Sequence, residues 1–98
     1  MSNREMAIQL TEYAHFLETR GASLYRVKAY RKAAETLLVL PRPIEDLYET
    51  GGRKGIQKLP SIGSHLSYTI EGLIRTGEFQ TLDGEEESFG LSRCLGCG

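Results

Sequence analysis

Glycine and proline cut this chain into short amphipathic pieces, and none of the pieces alternates as a strand does. Ala7, Leu10, Ala14 and Leu17 form one apolar stripe at helical spacing, which predicts a helix from about Asn3 to Arg20. Asn3 or Ser2 is placed to cap its start, and Gly21 to stop it. Ser23 can cap a second helix, from about Leu24 to Leu40. Its stripe is Tyr30, Ala33, Leu37 and Leu40, widened by Ala34 and Leu38, with Lys28, Arg31, Lys32 and Glu35 on the other side. Pro41 and Pro43 end it. A short third helix, Ile44 to Glu49, runs into Gly51-Gly52, and a single turn near Lys54–Lys58 follows. Leu59-Pro60-Ser61-Ile62-Gly63 reads as a tight hairpin opening into a last helix, Ser64 to Thr76, with Leu66, Ile70, Leu73 and Ile74 inward and Gly77 as its stop. The expected fold is all-α, a compact bundle of four to five short helices containing one helix-hairpin-helix motif, over residues 1–82. The periodicity fades beyond Gly77; the stretch from Thr81 on is expected to be poorly ordered, and residues 83–98 to form a disordered, acidic, Gly- and Cys-containing tail.

Ninety-eight residues suffice for one domain with a modest core. No run approaches the about 18 apolar residues of a membrane span, and the start lacks the apolar core of a signal peptide. A cytoplasmic monomer without membrane contact is expected. The net charge of −1 hides a split. Residues 51–77 hold Arg53, Lys54, Lys58 and Arg75 against Glu71 alone, whereas residues 78–98 hold Arg93 against Glu78, Asp83, Glu85, Glu86 and Glu87. A second basic cluster, Arg20, Arg26, Lys28, Arg31 and Lys32, contains no acid. For nucleic acid, such local clusters matter more than the overall charge.

The hairpin is where chemistry concentrates. A turn of this kind aims backbone N–H groups and the positive end of a helix at one spot, which suits a phosphate and reads no base. Around it the sequence places Arg26, Lys28, Arg31 and Lys58, with Ser61, Gly63, Ser64 and His65 in the turn and first helical residues, as candidate DNA-binding groups.

Tyr25-Arg26-Val27-Lys28-Ala29-Tyr30-Arg31-Lys32-Ala33-Ala34, then Leu40-Pro41 with Ile44 and Leu47, then Leu59-Pro60-Ser61-Ile62-Gly63 with Ile70 and Thr76-Gly77, follow one another in an order and spacing that resemble a known family. Residues 3–82 are similar to the N-terminal helix-hairpin-helix domain of family X DNA polymerases, the small DNA polymerase beta-like domain. The resemblance implies DNA binding through phosphates at gaps, nicks, single strands or 5′-phosphate ends, in repair or processing and beside a catalytic repair protein. It also implies a monovalent cation, Na+ or K+, held by main-chain carbonyls of Gln57, Leu59 and Ile62. Such a cation bridges main-chain oxygens to a phosphate, and the N–H groups of Gly63, Ser64 and His65 face the same phosphate.

Two departures from the family stand out. The hairpin normally carries Gly where this chain has Ser61, a residue strained there if φ is positive. The lysine whose amine forms the Schiff base in the family's lyase is replaced by Thr69, and the phosphate-binding lysine one turn earlier by His65. No enzymatic activity is therefore expected, and the polymerase palm is not in this chain. Two other readings stay open: a residual 5′-deoxyribose-phosphate lyase using Lys58 or Lys54, and a protein-interaction module that has kept the scaffold. Tyr30 sits on the apolar stripe, so core packing outweighs stacking on DNA, and His65 is read as exposed at a helix start. Cys94-x-x-Cys97 has the spacing of half a zinc site, but no second cysteine pair completes it, so no zinc is expected.

Overall fold

The computed structural model describes residues 2–82. Four helices follow one another, α1 (Asn3–Thr19), α2 (Leu24–Val39), α3 (Ile44–Gln57) and α4 (Ser64–Thr76), and the described residues contain no strand. They form two helical hairpins, α1 packed on α2 and α3 on α4. The expected tail, 83–98, and Cys94 and Cys97 with it, lie outside the described residues.

Ser2, not Asn3, caps α1. Its hydroxyl accepts from the Glu5 N–H at 3.1 Å while its own N–H donates to the Glu5 carboxylate at 2.9 Å, a reciprocal capping box. Asn3 does something the sequence pattern did not show. Its Nδ2 donates to the Arg42 carbonyl at 2.8 Å and its Oδ1 accepts from the Ile44 N–H at 2.9 Å. It thus caps α3 from the start of α1, at an end where the N-cap residue, Pro43, offers no side-chain acceptor. Helix α1 ends one residue before the expected Arg20. Gly21, at φ 78°, lets the chain fold back so that Ala22 N–H reaches the Leu17 carbonyl and Gly21 N–H the Glu18 carbonyl. Ser23 caps α2 as expected, its hydroxyl accepting from Arg26 N–H at 3.3 Å.

The expected third helix and the single turn after it are one element. Its helix-type hydrogen bonding runs from Ile44 to Gln57, but Gly52, at φ 62° and ψ −153°, breaks the direction inside it. That backbone region is open essentially to glycine alone, which is why Gly51-Gly52 reads as a stop in the sequence. Three residues on, a Cβ on Gly55 would sit 2.5 Å from the Leu47 carbonyl oxygen, so the two halves close against each other only because Gly55 lacks one.

Ala7, Leu10, Ala14 and Leu17 are all buried, as are Tyr30, Ala33, Ala34 and Leu37, and Leu66, Ile70 and Leu73. The stripes were too narrow: Met6, Tyr13 and Val27 are buried as well. Leu38, expected inward, is exposed, because it falls beyond the edge of the surface that α2 presents to α1. Tyr13 is the aromatic centre, with Tyr30 edge-on at 4.9 Å and Phe79 at 4.7 Å between ring centroids. That last contact lies past Gly77, where the sequence periodicity fades. Residues after the helix return across α1, Phe79 packs on the core and Thr81 is buried.

Candidate nucleic-acid interface

The second half of α3, the residues Lys58–Gly63 and α4 form the hairpin motif. Within it, Leu59-Pro60-Ser61-Ile62 is a four-residue turn closed by the Ile62 N–H donating to the Leu59 carbonyl at 3.3 Å. Pro60 fixes the first central position, and Ser61 takes the second at φ 68°. This is a type II turn, whose second central position is normally glycine. The strain that the sequence made conditional on a positive φ is therefore present.

The turn is held from three sides. Ile62 is buried in the core and Leu59 packs against it. The Thr36 hydroxyl on α2 donates to the Pro60 carbonyl at 3.2 Å. Beneath the turn, the fully buried Ser67 hydroxyl joins the two motif helices. It accepts from Arg53 Nε at 3.2 Å and Gln57 Nε2 at 3.0 Å, and donates to the Ser64 carbonyl at 2.9 Å. Arg53 adds a bond to that carbonyl at 3.3 Å and lies over the Tyr68 ring. On another side of the pair, Tyr48 is hydrogen-bonded to Glu71. That bond, reinforced by burial, raises the Tyr48 phenol above its usual range, with Arg75 opposing.

Gly63 begins α4 without any side-chain cap, and the first bond of the helix is from Ser67 N–H to the Gly63 carbonyl at 2.9 Å. The N–H groups of Ser64, His65 and Leu66 lie ahead of that bond and have no intrahelical partner. They open toward a cleft of about 260 Å³ lined by Tyr25, Arg26 and Ala29 of α2 and by Ser61, Gly63, Ser64 and His65. A second cleft, of about 300 Å³, continues along α2 and is lined by Tyr25, Lys28, Ala29, Lys32 and Ser61.

Six of the predicted residues, Arg26, Lys28, Ser61, Gly63, Ser64 and His65, therefore line one continuous groove. Arg31 does not: it turns to α1 and pairs with Glu18 at 3.1 Å. Lys58 caps the end of α3, exposed and outside the groove. His65 is not exposed as expected but half-buried, and its Nε2 is enclosed without a hydrogen-bond partner. Thr69 is fully buried, its hydroxyl likewise unpartnered. Tyr30 is packed in the core and also lines the first cleft. Lys32 and Tyr25 were not singled out as site residues. Their spacing with Lys28, at i, i+3 and i+7 from Tyr25, places all three on one face of α2 and was the available signal.

No group of three or more His, Cys, Asp or Glu among the described residues could hold a metal ion. Of the three carbonyls named for a monovalent cation, that of Leu59 accepts the Ile62 N–H at 3.3 Å inside the turn. A family model for a helix-hairpin-helix domain matches residues 1–79.

Proposed function

The chain belongs to the helix-hairpin-helix domain family, and on that premise we propose that it is a non-catalytic module that grips DNA by its backbone phosphates. Domains of this family generally bind DNA without reading sequence. The finer reading is that this one favours gaps, nicks or 5′-phosphate ends, and serves repair or processing as a cytoplasmic monomer beside a catalytic repair protein. The observation that carries it is the groove. Unpartnered N–H groups at the start of α4 and the cations Arg26, Lys28 and Lys32 of α2 converge there on a concave surface with no acidic residue in its lining.

The division of labour follows from chemistry. Backbone N–H groups point at a fixed place and are independent of side-chain identity, so they position one phosphate. Arg26, at the wall of the same cleft, supplies a permanently charged, forked donor to that phosphate. Lys28 and Lys32 act as point charges further along. A monovalent cation, if held by the main-chain carbonyls of Gln57, Leu59 and Ile62, would add positive charge for a phosphate. The non-catalytic reading draws support from Thr69, a buried hydroxyl at the position where the lyase needs an amine, and from Lys54 and Lys58, neither of which lines the groove.

Titration of labelled protein with a 5′-phosphorylated gapped duplex, an intact duplex and a single strand tests the reading. The gapped duplex is expected to bind tightest. Log affinity should fall linearly with log salt with a slope of about −2 to −3, the range for three phosphates neutralised. No binding to the gapped duplex at low salt, or binding that salt does not weaken, overturns it.

A further inference from the structure

The two clefts share Tyr25, Ala29 and Ser61. The first contains every feature expected of a phosphate site. The second contains none of the hairpin's N–H donors, yet it carries two lysines one helical turn apart. Lys28 and Lys32 are both exposed, and neither has an ion-pair partner among the described residues. Their neighbour Arg31 is committed to Glu18. Ser61 stands between the clefts on a backbone that a glycine would adopt without strain. A glycine would also let the main chain approach a ligand more closely. A non-glycine residue at such a strained position points to function, and here the only thing it adds is a hydroxymethyl group at the junction.

We propose that the second cleft is a nucleotide subsite, in which Lys28 and Lys32 hold the phosphate adjacent, on the same strand, to the one at α4, and the Ser61 hydroxyl donates a hydrogen bond at the junction. The ligand class is a DNA strand of at least two nucleotides. The inference rests on the backbone-binding reading above and adds a minimum length to it. It also gives Ser61 a role opposite to a defect: the hydroxyl is a contact that the more stable glycine cannot make.

The probes are 5′-phosphorylated oligo(dT) of one, two and six nucleotides, titrated by NMR shift mapping and fluorescence. The variant Lys28→Gln/Lys32→Gln is expected to weaken the two- and six-nucleotide probes at least tenfold more than the one-nucleotide probe. It should also lower the salt slope for six nucleotides by about 1.4, the value for two charges on a single strand. Ser61→Gly is expected to raise the melting temperature by about 4–8 °C through relief of the left-handed strain, yet to weaken the two-nucleotide probe about tenfold, as loss of a bond to a charged group does. Ser61→Ala keeps the strain and should lose the same affinity without the gain in stability. Equal losses at all three lengths in the lysine variant overturn the subsite while leaving the phosphate site at α4 standing. Ser61→Gly binding as well as the wild type overturns the serine contact. A wild type that binds no probe overturns the subsite and the proposed function together.

Discussion

Ser67→Ala tests how much one buried hydroxyl contributes to holding the two motif helices together. The side chain is fully buried and takes part in three hydrogen bonds, two accepted and one donated. Deleting it does not strand all three partners equally. The Ser64 carbonyl keeps Arg53 Nη2 at 3.3 Å. Arg53 is half-buried, lies over Tyr68 and can turn its Nε toward water. Gln57 Nε2 has no such second bond and is half-buried too. The cost is therefore that of about one unsatisfied donor plus a small void, about 1–2 kcal/mol, and not three times that. Urea unfolding followed by circular dichroism should show the midpoint falling by roughly 1 M with the slope unchanged, and the melting temperature should fall by about 4–16 °C. The mechanism makes a second demand. If the cost lies in the orphaned Gln57 amide, replacing that amide with an apolar group should recover part of it. Gln57→Leu/Ser67→Ala must then be less destabilised than the sum of the two single variants, by about 0.5–1 kcal/mol. Strict additivity, or a Ser67→Ala protein as stable as the wild type, would refute the hub.

Asn3→Ala removes the cap that α1 lends to α3 and leaves the Ile44 N–H without its partner; a loss of about 1–2 kcal/mol is expected by denaturant titration, whereas Asn3→Asp, which keeps the acceptor, should lose less. Gly55→Ala drives a Cβ to within 2.5 Å of the Leu47 carbonyl oxygen, and the two halves of α3 must separate, so a loss of about 1–3 kcal/mol is expected together with weaker binding of gapped DNA. The Glu5 carboxyl is held below the ordinary glutamate value of 4.5, first by the Ser2 N–H and then by the Ser2 hydroxyl. A depressed folded pKa contributes stability that is present above 4.5 and is lost as pH falls through the folded value. The stability difference between wild type and Glu5→Gln should therefore be constant near neutral pH and shrink below about 4.5, and a difference that grows on acidification would reverse the assignment.

The helices were legible because their apolar stripes and their glycine and proline stops agree. What escaped was whatever depends on a partner far along the chain. Ser2 and Asn3 are equally good caps by type, and only the position of Arg42 and Ile44 decides that Asn3 is needed elsewhere. Gly51-Gly52 reads as an ending, and a sequence pattern cannot show that the hydrogen-bonded run resumes across it. Phe79 could not be placed by pattern because a lone aromatic has no period; its place is set by Tyr13, on the first helix of the chain. The groove was legible in outline for a similar reason. Residues near the hairpin in sequence, and Arg26 by resemblance, were found. Arg31 was assigned to the groove by charge alone, with no way to see that Glu18 would claim it.

The break at Gly52 has a mechanical meaning. Before it, α3 is fastened to the start of α1 through Asn3; after it, the same helix is fastened to α4 through Arg53 and Gln57. The torsions of Gly52 thus help to set the angle between the body of the protein and the hairpin. The groove spans that joint, with Arg26, Lys28 and Lys32 on one side of it and Ser61, Gly63 and Ser64 on the other, so a turn at Gly52 would widen or narrow the groove itself.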